Sequence, residues 1–204
     1  MPIKAWFPTF IYDAPIGRGA SALNRQLLDD AEKLRANDEK GRRWCKKNYP
    51  DGYTSYASWN RLHESFSTFR GLDERLRRHV ARFVEHLELD LDPARLTMTD
   101  CWVNIMPRHA VHSLHLHPLA TLSGTYYVKT PRGSSSIRFE DPRLSRFMAA
   151  PGKIAGASAS NQQQVFYPVR AGDVLLWESW LRHEVRPSTI DAERVSVSFN
   201  YHWS

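Results

Sequence analysis

From Leu96 to the C-terminus the chain is a succession of short apolar or alternating runs, at 96–106, 122–129, 136–140, 165–169, 173–177, 181–185 and 194–201, separated by turn residues. No segment between them carries helical periodicity. Strands at this spacing without intervening helices predict an antiparallel sandwich or barrel rather than a parallel α/β sheet. The N-terminal part reads differently. An aromatic run broken by proline, Trp6-Phe7-Pro8-Thr9-Phe10-Ile11-Tyr12, is expected to be an edge strand. Helical spacing of Leu23, Leu27, Leu28, Ala31 and Leu34 predicts a helix from Ser21, and Leu76, Val80, Phe83, Val84 and Leu87 predict a second over 73–90, with His79 and His86 at its surface or boundary. Residues 44–69, rich in Tyr, Ser, Trp and Asn, read as an ordered loop or short strands. Residues 144–164 turn small and polar, as a lid, a binding loop or a disordered segment would.

At 204 residues the expectation is one domain, 1–204, with a helical part over about 16–92 and a β core over about 96–203. No apolar run reaches membrane-spanning length and the N-terminus lacks a cationic segment followed by an apolar one, so a cytoplasmic protein with no membrane partner is expected. Two cysteines, Cys45 and Cys101, make no disulfide framework. The net charge of +6 is concentrated at 39–47 and 75–82. A solvated face explains it better than a nucleic-acid footprint, and attraction of anionic small molecules is a third reading.

The chemistry concentrates in His112-Ser113-Leu114-His115-Leu116-His117-Pro118. On a strand, His115 and His117 project to one side and can grip one ion, while His112 falls on the other parity. A third ligand must come from another strand. His183 is best placed, because Leu181, His183 and Val185 alternate with Arg182, Glu184 and Arg186, putting the histidine on an inward face. Three imidazoles with open positions opposite suit Fe, Zn, Cu, Ni or Co, and open positions imply catalysis. In the last strand Arg194, Ser196, Ser198 and Asn200 share a face. If that face looks inward, Arg194 could hold a carboxylate with paired charged hydrogen bonds and Ser196 could add a donor.

The runs Cys101-Trp102-Val103-Asn104-Ile105-Met106, His115-Leu116-His117-Pro118, Leu122-Ser123-Gly124-Thr125-Tyr126-Tyr127-Val128, Phe139-Glu140-Asp141-Pro142-Arg143, Glu178-Ser179-Trp180-Leu181-Arg182-His183-Glu184-Val185 and Glu193-Arg194-Val195-Ser196-Val197-Ser198-Phe199-Asn200 closely resemble the small 2-oxoglutarate–Fe(II) oxygenase family of non-haem iron dioxygenases. The resemblance covers most of residues 5–203. It implies a mainly β (α+β) fold, a double-stranded β-helix or jelly roll with the N-terminal helices packed on one sheet. It also implies Fe(II) held by His115, His117 and His183, and 2-oxoglutarate held by Arg194 and Ser196 with Asn104 and Tyr127 as further partners. Dioxygen would complete the set, and a C–H bond of a small-molecule or carrier- or peptide-bound substrate would be oxidised, most simply by hydroxylation. Arg143 is a candidate for holding an acidic group of that substrate, or a structural partner of Glu140 or Asp141. The broader superfamily usually has a carboxylate where this chain has His117, which leaves Asp141, Glu140 or His112 open as the third ligand. A three-histidine cupin-type dioxygenase without 2-oxoglutarate and a non-catalytic jelly-roll binding module also stay open, as does a homodimer. Nucleic acid is not an expected partner.

Overall fold

A computed structural model describes residues 3–203. Two antiparallel sheets face each other. The larger has six strands in the order β1 (Ile11–Pro15), β8 (Asp173–Glu178), β5 (Leu122–Lys129), β10 (Arg194–Trp203), β3 (Leu96–Met106) and β2 (Tyr53–Thr54); the smaller has four, β4 (His112–His115), β9 (His183–Val185), β6 (Ile137–Glu140) and β7 (Gln164–Tyr167). This is the double-stranded β-helix.

The central strand β10 is buried on both faces, and its alternation assigns them. Val195, Val197, Phe199 and Tyr201 face the helical layer, where the Tyr201 hydroxyl donates to Asp73. Arg194, Ser196, Ser198 and Asn200 sit opposite Met106, Asn104, Trp102 and Asp100 of β3, so these eight side chains share the inward face. Gly124 of β5 lets the sheet close under this layer: a Cβ there would lie 2.4 Å from the Phe199 ring.

Helices α1 (Ala20–Asn37) and α4 (Ser67–His86) cover the outer face of the larger sheet through Leu23, Leu27, Ala31 and Leu34, and through Phe69, Leu72, Leu76, Val80, Phe83 and Val84. α4 starts six residues before the sequence periodicity shows it. His79, expected at the helix boundary, is 2% exposed and bonded to the Tyr12 hydroxyl at 2.8 Å, tying α4 to β1. Residues 39–48, read from sequence as a charged stretch running into a loop, form helix α2 (Glu39–Asn48), followed by the short α3 (Leu62–Ser65). Only Gly41 and Cys45 of α2 are buried; the helix is short and charge-rich and offers no run of apolar residues by which to recognise it. Its start is nonetheless written locally. Asp38 caps it by accepting from the Gly41 amide at 2.8 Å, and the same buried carboxylate accepts from Tyr53 and Ser58, pinning α2 to the 53–58 segment. The 144–164 stretch makes two single turns, Leu144–Arg146 and Ala159–Asn161. The second borders a groove with residues 4–9, a space that none of the histidines lines. Among the described residues no helix is long and apolar enough to cross a membrane.

Candidate metal centre and cosubstrate chamber

His115 and His183 are direct cross-strand partners in the β4–β9 pair, with ring centroids 4.4 Å apart. β4 ends at His115, yet His117 in the segment that follows keeps the same side, 5.2 Å from His115 and 5.0 Å from His183. One nitrogen from each lies within 4.8 Å of the others, a span that one metal ion can bridge. The sequence parity of His112 does not hold. A register irregularity between His112 and His115 turns His112 to the same side, where its ring stands 6.0 Å from that of His115 and 4.7 Å from Tyr49.

The hydrogen bonds fix which nitrogen is free. Nδ1 of His115 bonds to the Ser113 carbonyl at 2.6 Å and Nδ1 of His183 to the Leu181 carbonyl at 3.0 Å. Carbonyls only accept, so both rings carry their proton on Nδ1 and present the Nε2 lone pair. His117 Nδ1 meets Asn200 Oδ1 at 2.6 Å; the Asn200 amide nitrogen donates to Asp100 at 3.2 Å, so the oxygen must face the histidine. Ser123 adds a contact to the same Nδ1 at 2.9 Å. All three rings are thus held in the tautomer a metal requires. Burial also disfavours the charged forms of His183, His117 and the neighbouring His112. Burial, reinforced by the neighbouring imidazoles, pushes His183 well below the ordinary histidine range and His112 down to about 3. Burial likewise takes His117 down to about 4, against the opposing pull of its Asn200 hydrogen bond.

Behind the histidines the two sheets enclose a chamber of about 40 Å³ lined by Trp102, Asn104, Met106, Trp177, Arg194 and Ser196 among others. Arg194 is 5% exposed, its Nη1 reaches only the Met106 sulfur at 3.7 Å, its Nε has no partner, and its guanidinium lies over the Tyr127 ring at 5.1 Å. No carboxylate among the described residues pairs with it. Other unpartnered buried atoms surround it: Asn104 Oδ1, the Tyr127 hydroxyl and Trp177 Nε1. Buried polar atoms are rarely left unmatched, and so many around one small chamber mark a place for a polar ligand. Tyr127, pushed up to about 12 by burial, stays a neutral donor.

The sequence candidates separate cleanly. His115, His117, His183, Arg194, Ser196, Asn104 and Tyr127 meet at the inner layer of the two sheets. Arg143 does not: it makes a two-point pair with Asp141, at 3.0 and 2.8 Å, and borders the groove beside residues 4–9. Glu140 pairs with Arg182. Neither acid stands in the histidine cluster, which narrows the alternative ligands to His112. Sequence reasoning missed Trp102, Trp177, Asp100 and the role of Asn200. The period-2 pattern Asp100, Trp102, Asn104, Met106 on one strand could have found two of them.

Residues 100–200 match the family model described as "Putative 2OG-Fe(II) oxygenase". No curated protein matches the chain. Among solved structures it is similar to the ThoJ–nickel complex, a non-heme monooxygenase (15% identity, 96% of this chain and 74% of that one, TM-score 0.64). It is also similar to HygX from Streptomyces hygroscopicus with nickel and 2-oxoglutarate bound (14% identity, 96% and 84%, TM-score 0.62). A third is the non-heme alpha ketoglutarate dependent epimerase SnoN from nogalamycin biosynthesis (16% identity, 95% and 77%, TM-score 0.61). At such identities these likenesses establish the fold. The family match spans the strands that carry the histidines and Arg194, and over that region the chain is similar to the 2OG-Fe(II) oxygenases.

Proposed function

We propose that this chain is an Fe(II)- and 2-oxoglutarate-dependent dioxygenase that hydroxylates a C–H bond of a small-molecule or aminoacyl substrate. The observation that carries the reading is the unpaired Arg194 beside three histidines whose Nε2 atoms are all free. A three-histidine dioxygenase without a cosubstrate would have no use for a buried guanidinium that lacks a carboxylate partner. HygX, whose structure has been solved with nickel and 2-oxoglutarate bound, offers a precedent on the same fold.

In this reading His115, His117 and His183 hold the iron through Nε2, and their Nδ1 partners keep the rings oriented as it loads. Iron and 2-oxoglutarate together, when bound with dioxygen, supply an oxidant able to take hydrogen from a C–H bond. Everything else falls to the chain's own residues. Arg194 receives the distal carboxylate, its guanidinium exchanging the weak Met106 sulfur contact for carboxylate oxygens. Ser196, 2% exposed, adds a hydroxyl donor on the same strand face. Asn104 now donates its amide nitrogen to Ser198 at 3.0 Å, leaving its oxygen bare. To serve a carboxylate the amide turns over, and the Ser198 hydroxyl switches from acceptor to donor. Trp177 and Phe139, with rings 4.7 and 6.0 Å from His183, exclude water on the far side. Three neutral ligands leave the metal charge to be balanced by the cosubstrate dianion, so each should tighten the other's binding.

The test is metal content and iron-dependent conversion of 2-oxoglutarate to succinate, in the wild type and in His115→Ala and His183→Ala. One iron per chain, lost together with turnover in both variants, supports the reading. Full iron content in either variant, or iron without any 2-oxoglutarate consumption, overturns it.

A further inference from the structure

Outside the histidines lies a second, larger space whose chemistry differs from that of the chamber. It is a groove of about 520 Å³, the size of a small-molecule site, opening from His115 and His117 between α2, the 53–56 segment and β3. Its walls are aromatic. Trp102 stands edge-on to Tyr56 with centroids 5.1 Å apart, and Tyr56 and Trp44 are 51% and 39% exposed along it. The chain carries 28 Lys and Arg against 22 Asp and Glu, yet among the lining residues, histidines aside, the single charged side chain is Asp100.

Asp100 is held but not neutralised. It accepts from Thr99 at 3.0 Å, from Asn200 at 3.2 Å and from Asn60 at 3.4 Å, all uncharged donors. No Lys, Arg or His forms an ion pair with it among the described residues. A carboxylate offers about four acceptor sites, so one remains, and none of the three donors is cationic. A fixed carboxylate flanked by π faces attracts cations twice over, by charge and by the ring quadrupoles.

We infer that the groove binds a substrate bearing an ammonium or guanidinium group on an apolar or planar body, with Asp100 as its counter-ion and Trp102 and Tyr56 as its walls. The inference rests on the proposed metal centre for its purpose, because the cation would set which C–H bond lies over the histidines. Its chemistry stands on the groove alone.

The test therefore uses metal-free full-length protein and two probes of one shape, N-acetyl-L-arginine amide and its uncharged urea analogue N-acetyl-L-citrulline amide, with N-acetyl-L-glutamate amide as the anionic control. Binding is read by tryptophan fluorescence, with Trp102→Phe assigning the signal, and by NMR shift changes. The arginine probe is expected to bind at least about tenfold tighter than citrulline. That preference should shrink to about threefold or less in Asp100→Asn, which keeps an acceptor oxygen for Asn200. Tyr56→Ala, at an exposed position, should weaken both probes without unfolding the chain. Equal binding of arginine and citrulline, a preference for glutamate, or no saturation by any probe up to about 10 mM overturns the inference. Cobalt(II) titration of the same protein keeps the two claims apart: loss of metal binding with the cation preference intact refutes the metal centre alone, and the reverse refutes the groove.

Discussion

Replacing Arg194 with methionine should change the stability of the metal-free protein little, or raise it, while removing its affinity for 2-oxoglutarate. The guanidinium is 5% exposed, with Nε unpartnered and Nη1 against a sulfur. An unsatisfied buried donor costs about 1–3 kcal/mol. The contact with the Tyr127 face returns about 0.5–2 kcal/mol. Methionine fills the same space without a polar atom, so the net change runs from about −1 to about +2.5 kcal/mol, a Tm from about 4 °C lower to about 10 °C higher for a chain of this length. Binding moves the other way. Two charge-assisted hydrogen bonds of about 1.5–3 kcal/mol each correspond to a loss of about 10² to 10⁴ in affinity. Scanning fluorimetry of metal-free protein and calorimetric titration of 2-oxoglutarate into nickel-loaded protein measure the two halves. A Tm lowered by more than about 5 °C would mean that Arg194 has a structural partner. Affinity for 2-oxoglutarate within about threefold of wild type would mean that the carboxylate binds elsewhere.

Asn200→Ala should cost about 10–100-fold in metal affinity, because His117 keeps only the Ser123 contact at Nδ1; ¹⁵N NMR of the metal-free protein should show a mixed His117 tautomer, and an unchanged spectrum would count against the assigned role. Acid should destabilise the metal-free protein. With folded values of about 3 and about 4 for His112 and His117 against an ordinary 6.5, the unfolded chain takes up protons below pH 6.5 that the folded one refuses. Stability is therefore present in full above 6.5 and falls toward pH 4, by at most about 3 kcal/mol per histidine. Urea midpoints at pH 7 and 4.5 check this, with His112→Gln expected to flatten the slope. Gly124→Ala should destabilise by about 1–3 kcal/mol, since its methyl would meet Phe199 at 2.4 Å and Leu176 at 2.7 Å; a neutral result in chemical denaturation would refute the packing of β5 under β10.

The β core was legible because its strands keep period 2 over most of their length. β3 and β5 have the boundaries that the alternation predicts, and the inward His183 between Arg182 and Glu184 follows from it directly. Two things were hidden. α2 buries only Gly41 and Cys45, so it lacks the row of leucines and valines that marks the other helices, and its Asp38 cap is a local mark that composition masks. The turn of His112 into the site depends on an irregularity in β4, which shifts parity by one and which no residue in His-Ser-Leu-His announces. The same limit applies to Asp100 and Asn200: each is unremarkable in sequence, and their link to His117 exists only through the pairing of β3 with β10. Arg143 beside Asp141 shows the converse, a basic residue near the right motif that local ion pairing takes out of the site.

The central claim is that the three histidines and Arg194 form one iron and 2-oxoglutarate site. Anaerobic titration of Fe(II)-loaded protein with 2-oxoglutarate tests it most directly, through the weak visible charge-transfer band of the bidentate chelate. The account predicts a saturable band at one equivalent, absent in His183→Ala and shifted to far higher 2-oxoglutarate concentration in Arg194→Met. Iron that binds without giving a band, or a band indifferent to Arg194, would contradict it.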